Sequence, residues 1–369
     1  MIDFLLEAPN GAKRQAQARA FVAAFLDPAV KRPKLLFGRN VYAESVIKAA
    51  QADAVVDDFA TEATYHGLPV IRSDGIPRDA LVLAVPGGKP LTIKDKLDAL
   101  NVENLDYFAF RRFAPLPLAP IVFNEGFEAD FGVNHHKYQW ISSLLSDEYS
   151  RWIFRKLVSF RLNNDVEILR GFIDNEANQY FEDFLALQPD GEVFHDIGCF
   201  DGATSLAFAK LCPRYSAIHA FEPEESNFHL CERNLAALHR VTLHPIGLSS
   251  VSGAFSFCAK GSASSVSSSG NQTIRVEPLD SLTIGAPTFM KIDIEGAELE
   301  CIGGASRTIA AAHPKLAIAV YHYTDGQAPF WQIPQRLLTI RGDYDIRLRH
   351  YTESIYETVM FFTPKGLTA

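Results

Sequence analysis

Glu192-Val-Phe-His-Asp-Ile-Gly-Cys-Phe-Asp-Gly202 is a short apolar run that ends in an acid and enters a glycine turn. Such a run reads as a buried strand followed by a loop that opens a helix. The acid decides which ligand the loop suits. A dinucleotide site aims loop amides and a helix N-terminus at a pyrophosphate, and Asp196 just ahead of the loop would repel that group. A ligand with an ammonium group and no phosphate, such as S-adenosylmethionine, would be attracted instead. Gly198 and Gly202 then let the backbone come close to it. Downstream, Ala217-Ile-His-Ala-Phe-Glu222-Pro223 is a second buried run ending in an acid, 20 residues after Gly202. A strand-loop-helix-strand unit delivers a carboxylate to ribose hydroxyls at that distance.

A third segment, Phe289-Met-Lys-Ile-Asp293-Ile-Glu295-Gly296-Ala-Glu298, is again a strand ending in acids. Its K-I-D-I-E-G-A-E wording resembles the signature of the FkbM-type S-adenosylmethionine-dependent methyltransferases. The likeness continues with D-x-G-x-x-D-G-x-T over 196–204, F-E-P at 221–223, L-D-S-L at 279–282 and V-Y-H at 320–322. L-R-H-Y at 348–351, E-T-V at 357–359 and Gln179-Tyr180-Phe181 extend it, so that it covers about residues 140–369. The resemblance implies a doubly wound, mostly parallel seven-stranded sheet with one antiparallel strand. It also implies S-adenosylmethionine as cofactor, held by Tyr180, Asp196, Gly198, Cys199, Asp201, Gly202, Thr204, Glu222, Pro223 and Asp293.

The remaining chain organises around that unit. Val193–Ile197, Ala217–Glu222, Val241–Pro245, Thr288–Asp293 and Leu316–Tyr321 are apolar runs separated by helical patterns, as in a parallel sheet covered on both faces. Residues 343–350 and 357–362 read as a terminal hairpin. Nearer the start, helical Ala12–Leu26 precedes strands at 34–38, 54–57, 68–71 and 80–85, with a helix over 41–50. This smaller α/β unit is of Rossmann character, yet Phe37-Gly38-Arg39-Asn40-Val41-Tyr42 keeps one glycine of a G-x-G-x-x-G pattern, and Tyr42 stands where helix and sheet should meet closely. Structural or partner-docking use fits it better than a nucleotide. Pro115-Leu-Pro-Leu-Ala-Pro120 is a rigid connector. The expected division is an N-terminal domain at 1–105, a helical bridge at 106–190 and a methyltransferase domain at 191–369. A serine-rich tract, 261–270, is expected to be a loop that orders over adenosine.

Composition narrows the partners. The 369 residues carry a formal net charge of −9 and no Lys/Arg cluster, which disfavours nucleic acid. No apolar run reaches the roughly 18–20 residues of a membrane span. The acidic start lacks a secretory pattern, and the five cysteines show no C-x-x-C pair, so a cytoplasmic protein is expected. The expected partners are a small-molecule or glycan acceptor and, through the N-terminal domain, a docking partner or a second copy.

Methyl transfer is an in-line displacement at the sulfonium carbon, and a hydroxyl acceptor must also lose its proton. Asp293, Glu295 and His322 follow the fourth and fifth strands of the sheet and are the expected catalytic residues, with His322 as a neutral base of ordinary pKa. His350 and Glu357 are second choices. The same three residues could hold a divalent cation, but sequence spacing does not define such a site and no metal is assigned. The expected activity is O-methylation of a sugar or small metabolite in polysaccharide or secondary-metabolite biosynthesis. The competing readings are an NAD-linked sugar oxidoreductase using the N-terminal domain, and a non-catalytic S-adenosylmethionine-binding or assembly protein.

Overall fold

The computed structural model describes residues 10–258, 265–266, 272–324 and 326–366. The chain divides into two compact units, one of residues 1–128, 154–175 and 351–356, the other of residues 129–153, 176–350 and 357–369. Residues 106–190, read from sequence as a bridge, are shared between them. No described helix is long and apolar enough to cross a membrane.

The first unit contains α1 (Gly11–Leu26), β1 (Lys34–Phe37), α2 (Val41–Ala49), β2 (Ala54–Val56), β3 (Thr64–Tyr65), β4 (Leu68–Ile71), β5 (Leu81–Ala84), α3 (Pro90–Ala99), β6 (Glu103–Asp106) and α4 (Tyr107–Phe113). Its sheet runs β3-β4-β2-β1-β5-β6, parallel except for the β3–β4 pair. Leu36, Val55, Leu81 and Leu83 meet Phe21, Phe25, Tyr42 and Tyr107 in one core. Tyr42 is where it is because its ring stacks on Tyr107 at 4.4 Å. The bulk that breaks the glycine fingerprint is thus core packing.

Two helices, α5 (Phe127–Leu144) and α6 (Glu148–Asn163), draw residues from both units. The second unit then adds β7 (Val193–Ile197), α7 (Ala203–Leu211), β8 (Ala217–Phe221), α8 (Glu225–Leu235), β9 (Val241–His244), β10 (Gly247–Leu248), β11 (Gly253–Cys258), β12 (Ser265–Val266), β13 (Gln272–Glu277), β14 (Phe289–Ile292), α9 (Glu298–Gly304), α10 (Ser306–Ala312), β15 (Lys315–Ala319), α11 (Pro329–Ile340), β16 (Tyr344–His350) and β17 (Thr358–Pro364). Seven of these strands form the sheet β16-β17-β15-β14-β7-β8-β9, in which β17 alone runs antiparallel to its neighbours. This is the doubly wound sheet that the motifs implied, and each expected strand lies within a residue or two of its place. A four-stranded sheet, β10-β13-β11-β12, is built from the chain between β9 and β14. Apart from β12, the serine-rich tract lies outside the described residues.

Uninterrupted burial of β14 and β15 explains their near-continuous apolar sequence, since helices cover both faces. Phe194, Phe208 and Phe289 stack at 4.4 and 5.1 Å across one face. Three histidines lie across neighbouring strands: His195, fully buried, donates from Nε2 to Gly285 O at 2.9 Å, and His219 Nδ1 lies 3.2 Å from His244 Nε2. Arg347 and Arg349, scattered cations in the sequence, stack over Phe184 and pair with Asp147.

Candidate active site at the carboxyl edge of the seven-stranded sheet

Parallel strands deliver their last residues to one edge, and β7, β8, β14 and β15 bring Asp196, Glu222, Asp293 and His322 there. Tight backbone bonds lock the loops together: Gly198 and Cys199 donate to Phe221 O, and Asp293 donates to Ile197 O at 3.1 Å. Gly198, at φ +79°, is obligatory because a Cβ there would stand 2.0 Å from Asp293 O. Gly202, at φ +85°, faces Leu235 at 3.0 Å. Both glycines admit close approach of the chain to itself.

Asp196 is fully buried, and its counter-charge comes from within the chain. Ser205 Oγ donates to Oδ2 at 2.7 Å, and Lys291 Nζ lies 3.6 Å from Oδ1. Burial pushes the carboxyl pKa up, and Lys291 opposes it. Lys291, a residue that sequence reasoning passed over, supplies Asp196 with a buried cation inside the chain. Its signal was available: one lysine inside a strand whose four residues are all buried. Lys291 also donates to Gly198 O and lies 5.3 Å from the Tyr180 ring centre. Burial pulls its pKa down, but Asp196 and Asp293 outweigh that and hold it charged.

Glu222 sits at the end of β8 and accepts from Phe200 N at 3.0 Å and Glu224 N at 2.9 Å. Burial raises its pKa to about 7. Each carboxylate oxygen keeps lone-pair capacity for a further donor. Asp201 accepts from Ala203 N at 3.0 Å in the turn that starts α7, and Thr204 and Pro223 are half-buried nearby in sequence. Cys199 is a buried thiol 3.4 Å from Cys231 Sγ; that contact and burial hold its pKa well above the usual range, as suits a small packing residue.

Tyr180, Asp293, Glu295 and His322 come together although they are as much as 142 positions apart in the chain. The Tyr180 hydroxyl donates to Asp293 Oδ2. His322 Nδ1 lies 2.8 Å from Glu298 Oε1, while Nε2 faces Asp293 Oδ1 at 3.6 Å and Glu295 Oε2 at 3.5 Å. Glu298, also missed, accepts from the backbone N–H of Ile294 and Gly296, so it shapes the turn and orients the imidazole at once. An acid directly after E-G-A, opening a helix, was the clue. Burial pushes the His322 pKa down, but three surrounding carboxylates overcome it and raise the value to about 9. His322 is therefore not the neutral base of ordinary pKa expected from its sequence position. Burial lifts Glu295 to about 8, against the pull of His322. Behind Tyr180, Gln179 Nε2 donates to the Tyr180 hydroxyl at 2.9 Å and to Glu357 Oε2 at 2.6 Å, and Tyr321 donates to Glu357 Oε1 at 3.2 Å. His350 instead pairs with Thr358 Oγ1 at 2.9 Å within the hairpin.

The first unit treats its corresponding loop differently. Asn40 Oδ1 accepts from Tyr42 N and Ala43 N, capping α2, and Arg39 pairs with Asp57 at 2.6 Å at the end of β2. The amides and the acid that a dinucleotide would use are engaged by the chain itself.

Residues 195–351 match the family model described as the methyltransferase FkbM domain. The matched residues take in the motifs from 196 to 351. No curated protein matches the chain. Among solved structures, methyltransferase FkbM from Methylobacillus flagellatus KT is similar over 98% of this chain and 95% of that one, with a TM-score of 0.75 and 24% identity. That likeness is one of fold, and it takes in both units. Precorrin-6y C5,15-methyltransferase from Geobacter metallireducens GS-15 covers 48% of this chain and 81% of its own at 19% identity. Ribosomal protein L11 methylase from Lactobacillus delbrueckii subsp. bulgaricus covers 48% and 71% at 13% identity. Their TM-scores, 0.31 and 0.30, are too low to bear on function.

Proposed function

We propose that the second unit transfers a methyl group from S-adenosylmethionine to a hydroxyl of a sugar or other small metabolite. The supporting observation is the convergence of Tyr180, Asp293, Glu295 and His322 on one edge of a methyltransferase sheet, beside Glu222 and the 196–204 loop. Glu222 is assigned to the ribose hydroxyls. Gly198, Cys199, Asp201, Gly202, Thr204 and Pro223 form the loops around adenosine, with Asp196 shaping them through Ser205 and Lys291. Tyr180 and Asp293 border the methyl-bearing end.

Such a site works mainly by holding acceptor oxygen, methyl and sulfur in line at near-attack distance. The O–CH3 bond forms as the S–CH3 bond breaks, and the sulfonium leaves as a neutral thioether. The hydroxyl proton passes to a carboxylate of the Asp293–Glu295–His322 cluster, because the imidazole among three carboxylates already holds a proton. The first unit, with the connecting residues that follow it, is assigned to docking or self-association. Four described cysteines are buried free thiols, which fits work in a reducing cytoplasm.

Calorimetry with S-adenosylhomocysteine tests the reading. Micromolar binding is expected, about −8 kcal/mol, and saturation at about 100 times the dissociation constant should stabilise the fold by roughly 2.7 kcal/mol. Absence of both heat and a rise in Tm would remove the proposal. Binding of NADH instead, followed by fluorescence, would favour the oxidoreductase.

A further inference from the structure

Asp293, Glu295 and His322 each offer one donor atom, and these atoms all lie within 4.8 Å of one another. The separations from His322 Nε2, 3.6 Å to Asp293 Oδ1 and 3.5 Å to Glu295 Oε2, exceed the roughly 2.7–3.2 Å of an N–H···O bond. They agree with the edge of a tetrahedron around a cation whose bonds are about 2.1 Å long, roughly 3.4 Å. Both separations from Nε2 are longer than a hydrogen bond and suit a cation placed between the imidazole and each carboxylate.

The surroundings aim the donors inward. A carboxylate oxygen only accepts, so Nδ1 carries the hydrogen shared with Glu298 and Nε2 is turned toward the cluster. Tyr180 donates to Asp293 Oδ2, which leaves Oδ1 to the cluster. Glu295 Oε2 is buried and accepts no hydrogen bond among the described residues. A carboxylate behind the histidine and a donor behind the aspartate are the outer partners that metal sites use to fix ligand orientation. One imidazole and two carboxylates suit a divalent ion between hard and borderline in character. Three protein ligands leave coordination positions for an oxygen of the acceptor.

We propose that Asp293 Oδ1, Glu295 Oε2 and His322 Nε2 bind one divalent cation, which in turn holds the acceptor hydroxyl. The acceptor rests on the methyl-transfer reading; the cation site stands without it. Binding displaces the proton from Nε2. The coordinated hydroxyl gives its proton to Glu295 Oε1, the oxygen not used as ligand, and the oxygen so freed attacks the methyl carbon.

The test uses the full chain, stripped with EDTA, dialysed and titrated with Mn2+, free Mn2+ being read by its electron paramagnetic resonance signal with and without S-adenosylhomocysteine. Uptake of one Mn2+ per chain is expected. Glu295→Gln and Asp293→Asn should each weaken it at least about tenfold, Glu298→Gln by about 10–100-fold, and Glu222→Gln not at all. Absence of saturable uptake by the wild-type chain under both conditions overturns the proposal, whatever the variants do. Equal uptake by the wild type and a folded Asp293→Asn/Glu295→Gln double variant, its fold checked by near-ultraviolet circular dichroism, overturns it too. Calorimetry on the same samples separates the two readings: S-adenosylhomocysteine binding without Mn2+ uptake removes the cation alone, and Mn2+ uptake without S-adenosylhomocysteine binding removes the methyltransferase alone.

Discussion

In the first unit β1 passes through Gly38 into α2, and in the second β7 passes through Gly198 into α7; both are strand, glycine loop and helix, with an acid at the end of the next strand. What the loops do with their polar groups separates them. Asn40 caps α2 with its own side chain, Arg39 neutralises Asp57, and Tyr42 fills the space beside Tyr107. In the second unit the N-cap of α7 is Gly202, which has no side chain, and Glu222 accepts from the backbone N–H groups of Phe200 and Glu224. The same topology thus has its loop groups engaged by side chains in one case and left to backbone contacts in the other, so side chains at the loop, not strand order, set what it can do.

The comparison can be broken first at turnover, where the effect should be largest. His322→Ala should lower methyl transfer by about 10²–10⁴-fold while S-adenosylhomocysteine affinity stays nearly unchanged, the range for disrupting the carboxylate cluster that takes the reacting proton. Normal turnover in this variant, measured once an acceptor is found, would move the chemistry elsewhere. The acids at the two strand ends give the next contrast. Glu222→Ala should weaken S-adenosylhomocysteine binding by about 1.5–3 kcal/mol through lost charge-assisted hydrogen bonds, whereas Asp57→Ala should leave it as it is. Equal calorimetric losses would erase the distinction between the loops.

Acid stability sharpens it further. The first unit contains a single histidine, His66, whereas burial and then His219 lower the His195 pKa to about 3, and burial lowers His244 to about 4. A histidine kept neutral in the fold protonates near pH 6.5 once unfolded. Its contribution is therefore complete above that pH and is lost as the pH falls toward 3. Over that window the unfolding free energy of the wild type should fall more steeply than that of His195→Gln, by about 1.4 kcal/mol per pH unit. Parallel urea-denaturation slopes would mean that His195 is charged in the fold. The smallest effect is expected at Asn40→Ala, which should cost about 1 kcal/mol through loss of the helix cap. If that variant also gains affinity for NADH, the first loop is a masked nucleotide site and not a structural one.

Much of this was legible in the chain because strand periodicity and strand-end acids are local properties. Lys34–Phe37, Val193–Ile197 and Phe289–Ile292 announce themselves by composition, and the motifs from 196 onward pointed to the methyltransferase sheet before its strand order was seen. Tyr180, Asp293, Glu295 and His322 were each singled out from their own short motifs. Lys291 and Glu298 were not, because a charged residue in a motif does not show whether it faces a ligand, water or another buried charge.

Local sequence therefore determined the kind of elements, the parallel sheet and the residues at its carboxyl edge, since those depend on side-chain periodicity and turn chemistry within a few residues. Tertiary structure alone decided charge and purpose. Asp196 became the counter-ion of Lys291 because β7 and β14 are neighbours in register. Gly198 became indispensable because the turn after β14 passes within reach of its missing Cβ. His322 holds its proton because Glu298, Asp293 and Glu295 surround one buried imidazole. Electrostatics acts through space and strengthens with burial, and spacing along the chain carries neither the distances nor the burial that set it.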